Sequence, residues 1–139
     1  MTARPARGML DTSAVVRLGD VADPASLPVE CVVSAVTLAE LSVGPLVTAD
    51  PHERAVRQQH VQLTEASLGL VPFDAAAARA FGAVAAALRA DGRTVRARAY
   101  DALIAASALA EGIPLYTANP RDFTGIPGLD VRVPTYPPS

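Results

Sequence analysis

The feature that most limits how this chain can fold is a short apolar run that stops at a carboxylate. Gly8-Met9-Leu10 is followed by Asp11-Thr12-Ser13 and then by a second apolar run, Ala14-Val15-Val16. The order reads as a strand over about 8–11 that turns into a short helix near 13–18. In an open α/β sheet, ligands bind beyond the carboxyl ends of the strands. Asp11 is expected there, and other carboxylates can be sought at the same edge.

The rest of the chain repeats the strand-then-helix order. Gly19 to Pro28 is rich in Gly, Asp and Pro and reads as a loop. Val29–Val33 is a second strand, and Ser34 caps a helix over 35–43 that Gly44-Pro45 ends. Asp50-Pro51 opens a helix running to about Leu68, with Pro at its first position. Leu70–Phe73 is a short strand, and Asp74 caps an Ala-rich helix to about Ala90 whose small residues permit close helix packing. A helix over 99–111 ends at Gly112, Pro114–Thr117 is a strand, and Val131–Val133 is an edge strand. Strands alternating with helices imply a parallel sheet covered on both faces. Residues 1–7, with Pro5, and 134–139, with three prolines, are expected to be flexible ends.

Composition narrows the classes. A chain of 139 residues, half of them hydrophobic, implies one globular domain with a real core. No apolar run approaches the ~18 residues of a membrane span. Arg4 and Arg7 precede no apolar segment of the signal-peptide kind, so a cytoplasmic protein is expected. The one cysteine, Cys31, excludes an internal disulfide and a multi-Cys zinc site, and within Cys31-Val32-Val33 it reads as a small buried hydrophobe. The net charge of −2 does not advertise nucleic-acid binding. All twelve basic residues are Arg, which suits phosphate contact but also fits a compositional bias.

Two further carboxylates fall in line with apolar stripes. On a helix over 34–44, Val36, Ala39, Glu40 and Val43 share a face; on 99–111, Asp101, Ile104, Ala105 and Ala108 do. A buried carboxylate must be paired, protonated or bound to metal. No Lys exists to pair with Glu40 and no Arg stands one turn away on its helix, whereas Asp101 has Arg98 at i−3. Each has an ordinary alternative: Asp101 as a helix cap, Glu40 as a surface residue. Together with Asp11 they point to a shared acidic pocket. Pockets of Asp and Glu alone bind hard divalent cations, Mg²⁺ or Mn²⁺, which polarise a phosphodiester and acidify an attacking water. His52 and His60, two helical turns apart, do not form a metal pair. A fourth segment, Thr117-Ala118-Asn119-Pro120-Arg121-Asp122-Phe123, follows a strand and offers Thr117, Asn119 and Asp122 at the same edge.

Four segments in this order resemble the PIN-domain ribonucleases, in particular the VapC-type toxins: Leu10–Ser13; Ser34 with Thr37–Leu41; Asp101–Ala108; and Thr117–Phe123. The resemblance implies an α/β/α sandwich of three layers with a mostly parallel central sheet. It implies a metal-dependent endoribonuclease that cleaves structured RNA, such as tRNA or rRNA. Asp11, Glu40 and Asp101 resemble the family's acidic triad, with Asp11 and Asp101 as direct Mg²⁺ ligands and Glu40 binding directly or through water. Asn119 stands where the family often has Asp, so either Asn119 or Asp122 completes the site. Thr12, Ser13 and Thr117 resemble hydroxyls that orient the carboxylates. The resemblance further implies a cognate antitoxin protein as partner, and a homodimer. Arg93, Arg96 and Arg98 would then face RNA phosphate. Three other readings compete. A receiver-like phospho-acceptor domain normally needs a Lys, absent here. A PIN-like module that binds a partner without cleaving has Asn119 in its favour. A small-ligand α/β protein lacks its Gly-rich phosphate loop.

Overall fold

Strand β1, Arg7–Leu10, is the middle of a five-stranded sheet. The computed structural model describes residues 4–138, apart from the side chain of Ala97. Strands β2 (Glu30–Ser34), β3 (Gly69–Val71), β4 (Leu115–Tyr116) and β5 (Val131–Arg132) complete the sheet in the order β3-β2-β1-β4-β5. Every pairing is parallel, with Met9 opposite Val32 on one side and Leu115 on the other. A central parallel strand is covered on both faces, which is why Met9 and Leu10 are both fully buried although they point opposite ways.

Five helices form the two outer layers: α1 (Thr12–Val16), α2 (Ala35–Val43), α3 (Pro51–Ser67), α4 (Ala75–Ala90) and α5 (Ala99–Glu111). Met9, Val32 and Leu115 pack with Val84 and Leu88 of α4 and Ile104 and Ala105 of α5. Leu10, Val33 and Tyr116 pack with Ala14 and Val15 of α1, Leu41 of α2 and Val61 of α3. This is the expected α/β/α sandwich, and the sheet is parallel throughout. Gly8 is required where β1 meets its neighbours, since a Cβ there would lie 2.6 Å from a ring carbon of Tyr116.

The chain runs outward from β1 through β2 to β3, then returns to place β4 on the other side of β1. The connections after β1 and β4 therefore diverge, which opens a crevice at their carboxyl ends. Asp11 and Thr117 are the first residues past those two strands.

Several details differ from expectation. The buried face of α2 is Thr37 and Leu41, while Ala39 and Val43 are exposed. The helix is apolar almost all round, so the wheel could not say which stripe turns inward. Short 3₁₀ turns fill the expected loop at Leu18–Asp20 and Pro24–Ser26, and one over Arg96–Arg98 leads into α5. The two ends, expected to be flexible, make backbone bonds in their described parts. Val29 N and Glu30 N donate to the carbonyls of Pro5 and Ala6, both at 2.9 Å. At the other end Ala22 N donates to Thr135 O at 2.7 Å, and Thr135 N to Ser26 Oγ at 2.9 Å. Residues 1–3 and Ser139 lie outside the described residues.

Candidate functional site

Asp11 ends β1 with extended backbone and caps α1. Its Oδ1 accepts hydrogen bonds from Ala14 N at 2.8 Å and Ser13 Oγ at 2.7 Å, and its Oδ2 accepts one from Thr117 Oγ1 at 2.5 Å. Each hydroxyl is itself fixed by a backbone donor: Ala118 N donates to Ser13 Oγ at 3.0 Å, and Asn119 N to Thr117 Oγ1 at 2.9 Å. Both hydroxyl protons thus point at the carboxylate, and the ends of β1 and β4 are tied together through it. Asp11 is 4% exposed. Burial pushes its pKa up, and the bonds from Thr117, Ser13 and Ala14 pull against that rise.

Glu40 lies on α2, half-buried at the rim of the crevice rather than inside an apolar stripe. Its Oε1 accepts from Thr12 Oγ1 at 2.6 Å. That bond joins the first turn of α1 to α2, with the buried Thr37 one turn before Glu40 on the same side.

Asp101 lies in the first turn of α5, whose cap position is Arg98, so Asp101 is not itself the cap. The helix is seated by a buried bond between Ser107 Oγ and Ser34 Oγ at the end of β2, 3.0 Å long. Asp101 Oδ2 is 4.0 Å from Arg98 Nη1, whereas Asp122 Oδ1 is 2.5 Å from the same nitrogen. Arg98 therefore serves Asp122 first. Burial, and then the charges of Asp122, Asp11 and Glu40, push the Asp101 carboxyl up to about 6, against a weaker opposing pull from Arg98. The electrostatic share of that upward push follows from the nearness of the other three acids.

The shared space is a cleft of about 490 Å³ lined by Asp11, Glu40, Asp101, Asn119 and Asp122. Its walls also include Thr12, Ser13 and Arg17. Beyond Thr12 and Glu40 it continues into a more apolar recess of about 300 Å³ that reaches Arg57 and His60. A separate recess of about 550 Å³ lies by Leu46 and Ala55 and holds no carboxylate, so it offers no comparable chemistry.

The fit to a hard cation can be judged from the donors. The acidic cleft offers carboxylate, hydroxyl and amide oxygens and no His or Cys, the set that Mg²⁺ or Mn²⁺ prefers. Among the described residues no three His, Cys, Asp or Glu side chains stand close enough to clasp an ion by themselves. Mg²⁺ usually keeps several waters and takes only one or two carboxylates, so the open arrangement suits it.

Of the three arginines expected to face phosphate, only Arg98 touches the acids of the cleft. Arg93 is turned to Asp91 at 3.3 Å, and Arg96 is exposed on the turn before α5. Sequence reasoning missed Arg17, which lines the cleft, and Tyr136, whose ring lies under it. The signal for Arg17 was its place six residues after Asp11, just past a five-residue helix; Tyr136 had none, because its position depends on the return of the C-terminal tail.

Comparison with known proteins agrees with this geometry. The PIN domain family model matches residues 9–129. The chain is 35% identical over 130 residues to Ribonuclease VapC5 of Mycobacterium tuberculosis, an alignment covering 92% of this chain and 93% of that one. A solved structure of VapBC-5 from Mycobacterium tuberculosis, a member of the VapBC family of toxin–antitoxin systems, superposes with a TM-score of 0.78 at 32% identity, covering 93% and 99% of the two chains. A DNA-bound VapBC from Salmonella typhimurium gives a TM-score of 0.67 at 25% identity, covering 91% and 97%. With the family model matched over residues 9–129 and 35% identity to Ribonuclease VapC5 over most of both chains, this protein belongs to the PIN-domain family, in its VapC branch.

Proposed function

We propose that this chain is a VapC-type endoribonuclease toxin that cleaves structured RNA, such as tRNA or rRNA, in the cytoplasm. A divalent cation, Mg²⁺ or Mn²⁺, would be held by Asp11 and Asp101, with Glu40 reached directly or through water. When bound, such an ion supplies polarisation of a phosphodiester and acidification of water. The chain's own residues do the positioning. Ser13 and Thr117 keep both Asp11 oxygens in place, and Thr12 holds Glu40 toward the cleft. Asn119 and Asp122 form the fourth side, and Arg98 draws Asp122 toward α5. That pairing leaves Asn119 the freer of the two to complete the site.

The observation that carries this reading is geometric: Asp11, Glu40, Asp101 and Asp122, from four separate parts of the chain, line one cleft. Acids gathered in this way, with hydroxyl and amide oxygens and no His or Cys among them, suit a bound hard cation. Neutralisation by a cognate antitoxin, and a homodimer, are proposed on the resemblance to VapBC complexes.

A second reading, a PIN-like module that holds a partner without cleaving, is favoured by one fact: Arg98 already neutralises part of the acidic cluster. One experiment separates the two. Purified protein is incubated with total tRNA and rRNA in Mg²⁺ or Mn²⁺, with EDTA and Asp11→Asn as controls. Metal-dependent cleavage that disappears in both controls supports the nuclease. Tight antitoxin binding without cleavage of any RNA supports the binding module.

A further inference from the structure

Arg17 is the one basic residue among those lining the acidic cleft in the described chain. Its guanidinium carbon sits 4.0 Å from the centre of the Tyr136 ring. We propose that Arg17, stacked on Tyr136, is the cation that grips a backbone phosphate of the RNA at this cleft; the proposal rests on the nuclease reading above.

Three facts support it. First, Arg98, which reaches the cleft's acids from outside its lining, is committed: it is bound to Asp122 at 2.5 Å. Arg17 has only a loose neighbour, Asp20, at 3.8 Å, and both side chains are largely in solvent. A pair of that kind is weak and yields readily to a phosphate. Second, stacking occupies the flat face of a guanidinium and leaves its in-plane N–H groups free, the geometry that suits bidentate phosphate contact. Third, Tyr136 is placed there deliberately by the fold. The tail is pinned at Thr135 by backbone bonds to Ala22 and Ser26, and Pro134 is buried. The Tyr136 hydroxyl is closed off from solvent without a hydrogen-bond partner in the described residues, and it is the ring that Arg17 meets. An anionic substrate entering a cleft of four carboxylates also needs some cation on the wall where it arrives. Tyr136 is thus a positioning residue, and Arg17 the group that meets RNA.

The test uses the full chain and a fluorescently labelled RNA hairpin. Cleavage kinetics are measured in Mn²⁺, and binding is measured in EDTA over a range of salt, for Arg17→Gln, Arg17→Lys, Tyr136→Ala and Tyr136→Phe. Arg79→Gln, an exposed change on α4 among none of the residues lining the cleft, serves as control, and thermal melting checks folding. Loss of one charged phosphate contact predicts KM about tenfold higher for Arg17→Gln with kcat within about twofold. The salt slope of binding should fall by about one. Arg17→Lys should recover part of the loss, Tyr136→Ala should raise KM by roughly threefold, and Tyr136→Phe should match the parent. If the parent cleaves and Arg17→Gln is unchanged in KM, the inference is overturned while the nuclease reading stands. If the parent cleaves neither the hairpin nor total tRNA and rRNA, the nuclease reading fails, and the salt slope in EDTA still decides on Arg17: an unchanged slope, or no binding, overturns it.

Discussion

Asp11 and Asp101 face the same cleft and are treated in opposite ways. Asp11 is buried and receives three hydrogen bonds, so its charge is largely accommodated by the protein itself. Asp101 is less buried, has only Arg98 at 4.0 Å, and faces three other carboxylates. One is a carboxylate that the fold needs; the other is a carboxylate that the fold tolerates. On the proposed reading, the difference means that a cation site would be built from one fixed and one uncompensated acid. The first would set the place, and the second would supply the drive to bind.

The largest expected effect separates the pair by stability rather than by activity. Asp11→Asn and Asp101→Asn should each reduce RNA cleavage by about a thousandfold, since each removes a charge proposed to hold the metal. In EDTA at neutral pH their stabilities should move apart. Asp11→Asn turns an amide donor toward hydroxyls that already donate, and should cost about 1–3 kcal/mol. Asp101→Asn relieves repulsion and should leave the protein unchanged or more stable. Chemical denaturation in EDTA checks this. Two variants destabilised alike would remove the distinction.

Next comes Thr117→Val. It keeps the shape and deletes the donor to Asp11 Oδ2, which is otherwise enclosed. Unpaired, that oxygen should cost about 1–3 kcal/mol. Loss of an orienting hydroxyl should lower cleavage or metal affinity by about 10- to 100-fold. Thr12→Val, acting on the more exposed Glu40, should cost less on both measures. An equal loss in the two variants would show that burial does not set the value of an orienting hydroxyl here.

The sequence was legible where a local rule sufficed. The alternation of strands and helices gave the layered fold, and α2 and α5 run over the residues expected of them. Asp11 was singled out because a strand end in such a fold is a binding edge, and Asp101 because it falls in line with Ile104, Ala105 and Ala108, which are buried. Glu40 was singled out on a stripe that turns outward: Val43, its supposed companion, is 48% exposed. A helix apolar all round carries no phase information, so that argument could not work. The Ser34–Ser107 bond joins residues 73 apart in sequence, and the seat of Tyr136 depends on a loop more than a hundred residues earlier. Contacts of that span leave no mark on local pattern.

The smallest effect sharpens the comparison through pH. Asp101 holds its proton up to about 6 in the folded chain, against an ordinary value of 3.8. Between these values the folded state binds more protons than the unfolded state, so stability falls as pH rises. The contribution is fully present below the unfolded value and is lost as pH climbs through the folded one. With its side chain 32% exposed, solvent screening reduces the change to on the order of 1–2 kcal/mol. Asp11 is raised as well and contributes with the same sign, so the parent alone does not isolate Asp101. The difference between parent and Asp101→Asn does, and in EDTA it should widen from about pH 4 to about pH 6 and then level off. Adding Mg²⁺ at neutral pH should shrink or reverse that difference, because a cation stabilises only the chain that keeps the charge. A difference that ignores both pH and Mg²⁺ would mean that Asp101 carries no electrostatic load, and the drive to bind a cation would have to lie elsewhere in the cleft.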